Sequence, residues 1–319
     1  MKFVIQQKVG CGKTAGSKAV RDVNTILKSS KYVSLDIYPR WYHYILSIIK
    51  VWFVIKRKDH VLMQWPFYKI SIKPLLKILF YKKVNLTLLL HDVNSYRNVD
   101  SSMGEDLVTK YADKIIVHTD SMKDYFVRKG IPASKLTVLT SFDYLTDDEI
   151  PIRSYSNVIV YAGNLQKSEF LQKIPCDNLG LVFNCYGLYG EMLPKHLSYQ
   201  GVFSPENVSV LSGSWGLVWD GDSIDTCNGV IGRYLKINSP HKISLYIVSG
   251  LPVIVWQKSG LANYVKENNL GIVVESLTNI KDTISKISPD EYNGMVKAVI
   301  KEAGALRNGM HLKKAMGIV

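Results

Sequence analysis

This chain has little of what marks a metal-bound, secreted or membrane-spanning protein. Its four cysteines in 319 residues, Cys11, Cys176, Cys185 and Cys227, show no CxxC or CxxH spacing, which argues against a zinc site and fits a reducing compartment. No signal peptide opens it, because the first apolar stretch is only "FVI" before polar residues begin. The longest apolar region, 41–58, "WYHYILSIIKVWFVIKRK", is interrupted by His43 and Lys50 and is too short to span a bilayer. Internal repeats and low-complexity segments are absent. Acidic residues are scarce: 27 Asp and Glu stand against 40 Lys and Arg, a formal net charge of +13. That imbalance directs the search for partners to anions, whether nucleic acid, an acidic membrane face or phosphorylated small molecules.

What is present reads as α/β. Apolar runs such as "FVI", "YVSLDIY", "VLMQW", "LTLLL", "KIIVH" and "LTVL", then "VIVYAG", "LVFNCYG", "GLVWDG", "LPVIVW" and "GIVVES", are bounded by polar or glycine residues. Helical patterns over 71–82, 119–129 and 259–268 separate some of them, as in βα units around parallel sheets. The length suits two cores. The polar segment 146–157, "TDDEIPIRSYSN", is expected to link domains at 1–150 and 151–319. From Pro289 on the composition is helical, which allows the last helix to pack back on the first domain. The 41–58 region reads either as a buried domain helix or, with its aromatics and trailing Lys56-Arg57-Lys58, as a membrane-surface contact. The chain is expected in the cytoplasm, with peripheral contact at the inner face of the membrane as an option.

The segment 238–256, "NSPHKISLYIVSGLPVIVW", raises a specific question. Ser239 suits an N-cap, Pro240 the first helical position, and Gly250 the stop, so a helix is expected over 240–249. "LPVIVW" then reads as a buried strand. His241 and Lys242 fall in the helix's first turn, where the macrodipole disfavours each full cation by about 0.3 to 1 kcal/mol. A bound anion held by first-turn N–H groups and Lys242 would offset that cost; the plain alternative is a solvated lysine.

Two motifs compete. "VGCGKTAGSK" follows a strand as a P-loop does, yet Gln7 occupies the place of the first glycine of G-x-x-x-x-G-K-[ST]. "DGD", with Asp220 and Asp222, has the D-x-D form that holds a divalent cation on a nucleotide diphosphate, but it lies after a complete first α/β half.

Taken together, "YAGNLQKSEFL" (161–171), "FNCYG" (183–187), "GVFSPENV" (201–208), the block 216–256 and "LGIVVESL" (270–277) resemble the bacterial glucosyltransferase 3 and β-1,6-galactofuranosyltransferase family. "LLLHDVNSYR" (88–97), "ADKIIVHTDSMKDYF" (112–126) and "SFDYL" (141–145) extend the resemblance over nearly the whole chain. It implies a GT-B fold, two Rossmann-like domains facing each other across a cleft, the first for the acceptor and the second for the donor. It implies a UDP-sugar donor, no cofactor and no metal, and it leaves nucleic acid out of the expected partners. The product would be a cell-surface polysaccharide or glycoprotein precursor, built on a glycan, lipid-linked oligosaccharide or glycoprotein acceptor; a homo-oligomer stays open. The alternative is a non-catalytic nucleotide-sugar-binding scaffold subunit.

By that resemblance the diphosphate falls to Lys242 and the N–H groups near Pro240 and His241, helped by Asn238, Asn164 and Lys167. Tyr186 is the candidate to line the nucleoside, or else a half-buried core tyrosine. Many GT-B enzymes carry P-x-K-x-x-E, whose Glu binds ribose; Leu245 stands at that position here. The loop Gly221–Ser239, including Lys236, is the substitute, with Asp220 or Asp222 on ribose or sugar hydroxyls. Gly12 and Thr14 belong to the acceptor-side glycine loop. For the general base, "LTLLLHD" ends a strand at its cleft edge, making Asp92 the base and His91 a positioning group. The alternative is that both cap a turn around Asn94. His118, ending "KIIVH", is the substitute base.

Overall fold

The computed structural model describes residues 1–8, 15–68, 70–97 and 102–318. The chain divides into two units, Met1–Leu139 with the residues from Leu312 onward, and Thr140–His311. The first unit runs β1 (Lys2–Gln7), α1 (Ala15–Ser29), β2 (Val33–Ile37), α2 (Trp41–Val54), β3 (His60–Trp65), α3 (Lys73–Tyr81), β4 (Asn85–Leu90), α4 (Ser102–Tyr111), β5 (Lys114–Val117), α5 (Asp120–Arg128) and β6 (Leu136–Val138). Its six strands are parallel in the order β2-β1-β3-β4-β5-β6. The strands are continuous apolar runs because helices cover both faces of such a sheet: Leu86, Leu88, Leu89 and Leu90 of β4 are all buried.

The second unit repeats the plan with β7 (Val158–Ala162), β8 (Val182–Tyr186), β9 (Ser198–Tyr199), β10 (Trp215–Val218), α6 (Gly229–Tyr234), α7 (His241–Val248), β11 (Val253–Trp256), α8 (Ala262–Glu267), β12 (Gly271–Val274), α9 (Ile280–Ser285), α10 (Pro289–Arg307) and the start of α11 (Met310–Met316). Its sheet, also parallel, is ordered β12-β11-β10-β7-β8-β9. In α10, Ser288 accepts from Glu291 N while the Glu291 carboxylate accepts from Ser288 N, a capping box with Pro289 in the first turn. The two-residue β9 is the one strand among the described residues that no apolar run announces. From Leu312 the chain rejoins the first unit, where Lys114 Nζ donates to Ala315 O at 2.6 Å.

Strand order reverses between β1 and β3 in one unit and between β7 and β10 in the other. The loops leaving the carboxyl ends of these strands diverge to opposite faces, and the crevice left at that point is where open α/β sheets take ligands.

Three expectations change. The division falls at Leu139/Thr140 instead of 150, and 146–157 is part of the second unit. Hydrogen bonds hold it there: Thr146 Oγ1 donates to Glu206 O at 3.0 Å, and the Arg153 guanidinium donates to Ser249 O at 2.7 Å and Leu211 O at 2.8 Å. In α7, Pro240 with φ −67° and ψ 136° is the N-cap and His241 the first helical residue, one step later than expected. Finally, α2 is not a buried helix: of its residues only Ser47 and Val51 are buried.

Candidate functional site

At the β7/β10 reversal a charged cluster is assembled from β7 and from the connection between β10 and β11. Lys242 reaches back from the first turn of α7, and its Nζ donates to Asp220 Oδ1 at 2.9 Å, Tyr161 OH at 3.1 Å and Trp219 O at 3.3 Å. An ammonium has three protons, and three acceptors take them. It also lies 4.6 Å from the Tyr161 ring centroid. Both members of the ion pair are largely enclosed, with side chains 14% and 17% exposed. Burial by itself would lower the lysine pKa, but Asp220, then Tyr161 and Tyr246, hold it above the ordinary lysine value. Burial pushes the Tyr161 phenol up to about 12, opposed by Lys242 and reinforced by Asp220, so it stays protonated and shares a hydrogen bond with Ser168 Oγ at 2.5 Å. The anion that answers the cation at this helix start is therefore, within the chain itself, Asp220.

Glycines let these pieces close. A Cβ on Gly216 of β10 would stand 2.3 Å from Tyr246 Cγ, so only glycine leaves room for the α7 tyrosine whose hydroxyl accepts from Ala162 N at 2.8 Å. Gly187, at φ 143°, would bring a Cβ within 1.8 Å of Gly163 O.

The other expected donor residues divide. Asn164 is exposed and its side chain accepts from Lys167 N at 3.2 Å, capping the turn after β7; Lys167 is also exposed. Asn238 Oδ1 is a buried atom with no hydrogen-bond partner. The His241 ring packs on Tyr144, 4.9 Å between centroids at 31°, and so contributes packing rather than a cation pointed outward. Lys236 Nζ lies 5.8 Å over the Trp256 ring. Asp222 is exposed, and its N–H donates to Asn228 Oδ1 at 3.1 Å. The two carboxylates of "DGD" thus face different surroundings, and among the described residues no three His, Cys, Asp or Glu side chains gather as a metal site would require. Tyr186 is a correction: it is 4% exposed, and its hydroxyl donates to Val210 O at 3.1 Å and accepts from Ser212 N at 2.9 Å. Satisfied on both sides and enclosed, it is a core tyrosine.

In the first unit, His91 and Asp92 follow β4 at its carboxyl end. His91 Nε2 is 2.7 Å from Gln64 Oε1. The Gln64 amide nitrogen donates to Asn24 Oδ1 at 3.0 Å and Gln6 Oε1 at 3.3 Å, so the oxygen must face the imidazole and Nε2 must carry the proton. The basic nitrogen of neutral His91 is then Nδ1. Asp92 Oδ2 pairs with Arg97 Nη1 at 2.7 Å. The turn around Asn94 is closed by buried Glu105, whose Oε2 accepts from Asn94 N at 2.6 Å. Partial burial and then the Asp92 charge raise the pKa of Tyr68, after β3, and the Arg97 charge opposes them. Gln64 and Tyr68 had no signal in the sequence, because their roles depend on which strands are neighbours; Arg97 ends the marker "LLLHDVNSYR", but nothing in that marker announces its pairing with Asp92. His118 is no substitute base: it is 2% exposed, its Nε2 is 2.9 Å from Leu90 O, and burial pushes the imidazole down to about 4. Gly12 and Thr14 lie outside the described residues.

The Glucosyltransferase 3-like N-terminal and C-terminal domain families match residues 2–141 and 159–318. The β-1,6-galactofuranosyltransferase WbbI of Escherichia coli (strain K12) is 29% identical over 319 residues, covering 95% of this chain and 93% of WbbI. Sucrose-phosphate synthase from Thermosynechococcus elongatus superposes with a TM-score of 0.62 at 10% identity, covering 99% of this chain and 98% of that one. An alpha-glucosyltransferase solved in complex with UDP gives 0.58 at 11% identity, with 100% and 99% covered. These likenesses carry the GT-B fold, and the two matched domains, which span nearly all the chain, carry more: it belongs to the Glucosyltransferase 3-like family of glycosyltransferases.

Proposed function

We propose that the chain transfers a hexose, galactofuranose or glucose, from a UDP-sugar to a hydroxyl of a growing glycan, lipid-linked oligosaccharide or glycoprotein, without a metal. The observation that carries this reading is Lys242, an ammonium kept charged by Asp220 at the strand reversal of the second unit. A diphosphate leaving group needs positive charge beside it as the glycosidic bond breaks. The N-terminal N–H groups of α7, with Lys242 behind them, supply it in place of a divalent cation. Asp220, drawn to Lys242 through Oδ1, has its second oxygen for a sugar or ribose hydroxyl, which answers the missing glutamate at Leu245. Asn238, with an unanswered Oδ1, is suited to a hydroxyl of the same ligand.

For the acceptor we assign the base to His91 and move Asp92 to an orienting role. Gln64 fixes the His91 tautomer, so that Nδ1 is the ring nitrogen without the proton. Asp92 already has one oxygen engaged by Arg97. The structure of a solved relative with UDP supports the choice of carrier.

Titration calorimetry with UDP, UDP-glucose, UDP-galactofuranose and ATP, each with and without EDTA, followed by a UDP-release assay, tests the proposal. Expected are UDP binding indifferent to EDTA and release of UDP from one of the two sugars. Loss of binding on chelation, or a preference for ATP, overturns it; binding with no turnover toward any acceptor points to a scaffold subunit instead.

A further inference from the structure

Helix α2 is apolar on two opposite faces. Ser47 and Val51 turn inward, with Tyr44 and Ile48 half-buried beside them. Trp41, Ile45, Leu46, Ile49, Trp52 and Phe53 fall on the other side at helical spacing, all exposed, Trp41 at 77% and Phe53 at 76%. Surface helices ordinarily put charge there. The patch continues onto the end of α3: the Trp52 and Tyr81 rings stack at 5.5 Å, Lys82 Nζ sits 4.7 Å over the Trp52 ring, and Phe80 is 69% exposed. Contiguous apolar surface rimmed by polar groups marks an interaction site.

Charge says with what. Between residues 37 and 91 the sequence holds ten Lys and Arg and one acidic residue, Asp59, which is buried and paired with the chain's own N-terminal ammonium. Arg40, Lys50, Lys56, Arg57, Lys58 and Lys83 are exposed around the patch. A second copy of this chain would bring the same cations against them, a repulsive arrangement at a two-fold contact. Aromatic and aliphatic side chains at the centre with lysine and arginine at the edge match a bilayer surface, where rings seat at headgroup level and cations meet anionic lipid. We infer that the outer face of α2, with the end of α3, docks the protein on an anionic membrane surface. Apolar insertion and electrostatic attraction each contribute one of the two signals that stable peripheral binding needs. No described helix is long and apolar enough to cross a membrane. The inference is independent of the donor and base proposed above.

The test is co-sedimentation of the full-length chain with vesicles of mixed phosphatidylglycerol and phosphatidylcholine, against phosphatidylcholine alone, at low and high salt. Binding is expected to the anionic vesicles and to fall by at least about tenfold on neutral ones, and to weaken as salt rises. Trp41→Ser with Phe53→Ser, and separately Lys56→Glu with Arg57→Glu and Lys58→Glu, should each reduce binding by about tenfold or more, with the thermal midpoint of the free protein unchanged. No binding to anionic vesicles, or equal binding to neutral ones, overturns the inference. So does a dimer in sedimentation equilibrium that Phe53→Ser dissolves while vesicle binding persists, which would assign the face to a second copy.

Discussion

Lys242 and Asp220 meet at 2.9 Å although 22 positions separate them, one in the first turn of a helix and the other just past a strand end. The pair accounts for a lysine at the helix terminus that repels it, since the carboxylate supplies the negative charge that position favours. Each partner leaves the other stranded if removed. Lys242→Ala is expected to cost about 3 kcal/mol of stability, the scale for breaking an enclosed ion pair, and, with a diphosphate oxygen taking the proton now directed at Trp219 O at 3.3 Å, to weaken UDP binding by about 1.5 to 3 kcal/mol. Adding Asp220→Asn should restore much of the stability and none of the affinity. Denaturant titration and calorimetry on the parent and the two variants separate the two effects. Because the lysine pKa is raised, the pair's stabilisation is complete below the ordinary value of 10.5 and is lost only as pH climbs through the higher folded value.

His91→Asn is expected to lower kcat by about 10² to 10⁴ with the Kd for UDP unchanged, the range for removing a general base. Asp92→Asn should cost less than His91→Asn. The reverse order in single-turnover rates would return the base to Asp92.

Gln64→Leu removes the acceptor that fixes the His91 tautomer. It should lower kcat by about tenfold, shift the acidic limb of the kcat/KM pH profile and leave UDP affinity intact. A pH profile identical to that of the parent would show that Gln64 does not act through His91.

The His118 imidazole is held neutral by burial, its folded pKa near 4 against 6.5 when free. A depressed pKa on this base means that its stability contribution is present in full above pH 6.5 and is lost as pH falls toward 4. The loss amounts to about 3 kcal/mol at 1.36 kcal/mol per unit. His118→Gln should flatten the stability curve over that window, as measured by urea midpoints from pH 7 to 4.

Tyr186→Phe separates a core tyrosine from a ligand-lining one. Two hydrogen bonds to the 210–212 backbone are lost, so the expected cost is about 1 to 3 kcal/mol in stability, with UDP affinity unchanged. A calorimetric loss of affinity at unaltered stability would restore Tyr186 to the nucleoside.

The strands were legible because a parallel sheet covered on both faces writes itself as uninterrupted Val, Ile and Leu, and "LTLLL" and "VIVW" have no other home. Ser198–Tyr199 was not, since a two-residue edge strand needs no apolar run. The helix after Pro240 was legible from Ser239, Pro240 and Gly250. Lys242's partner was not, because the contact exists only after β10 and α7 are set side by side by the strand reversal, and local spacing carries no trace of that. For the same reason "DGD" looked like a pair and is not one. The 41–58 helix misled in another way: apolar composition states that surface must be covered, and it does not state whether protein or something else covers it.

The return of the chain from α10 to the first unit has a consequence for synthesis. Ala315, whose carbonyl receives Lys114, lies beyond the whole of the second unit in the chain and leaves the ribosome after it. Domains emerging from the ribosome ordinarily close in order from the amino end. Here the first unit is begun before the second and completed only after the entire second unit has emerged, so the α/β sheet that carries His91 waits as an incomplete body for the helical segment from Leu312.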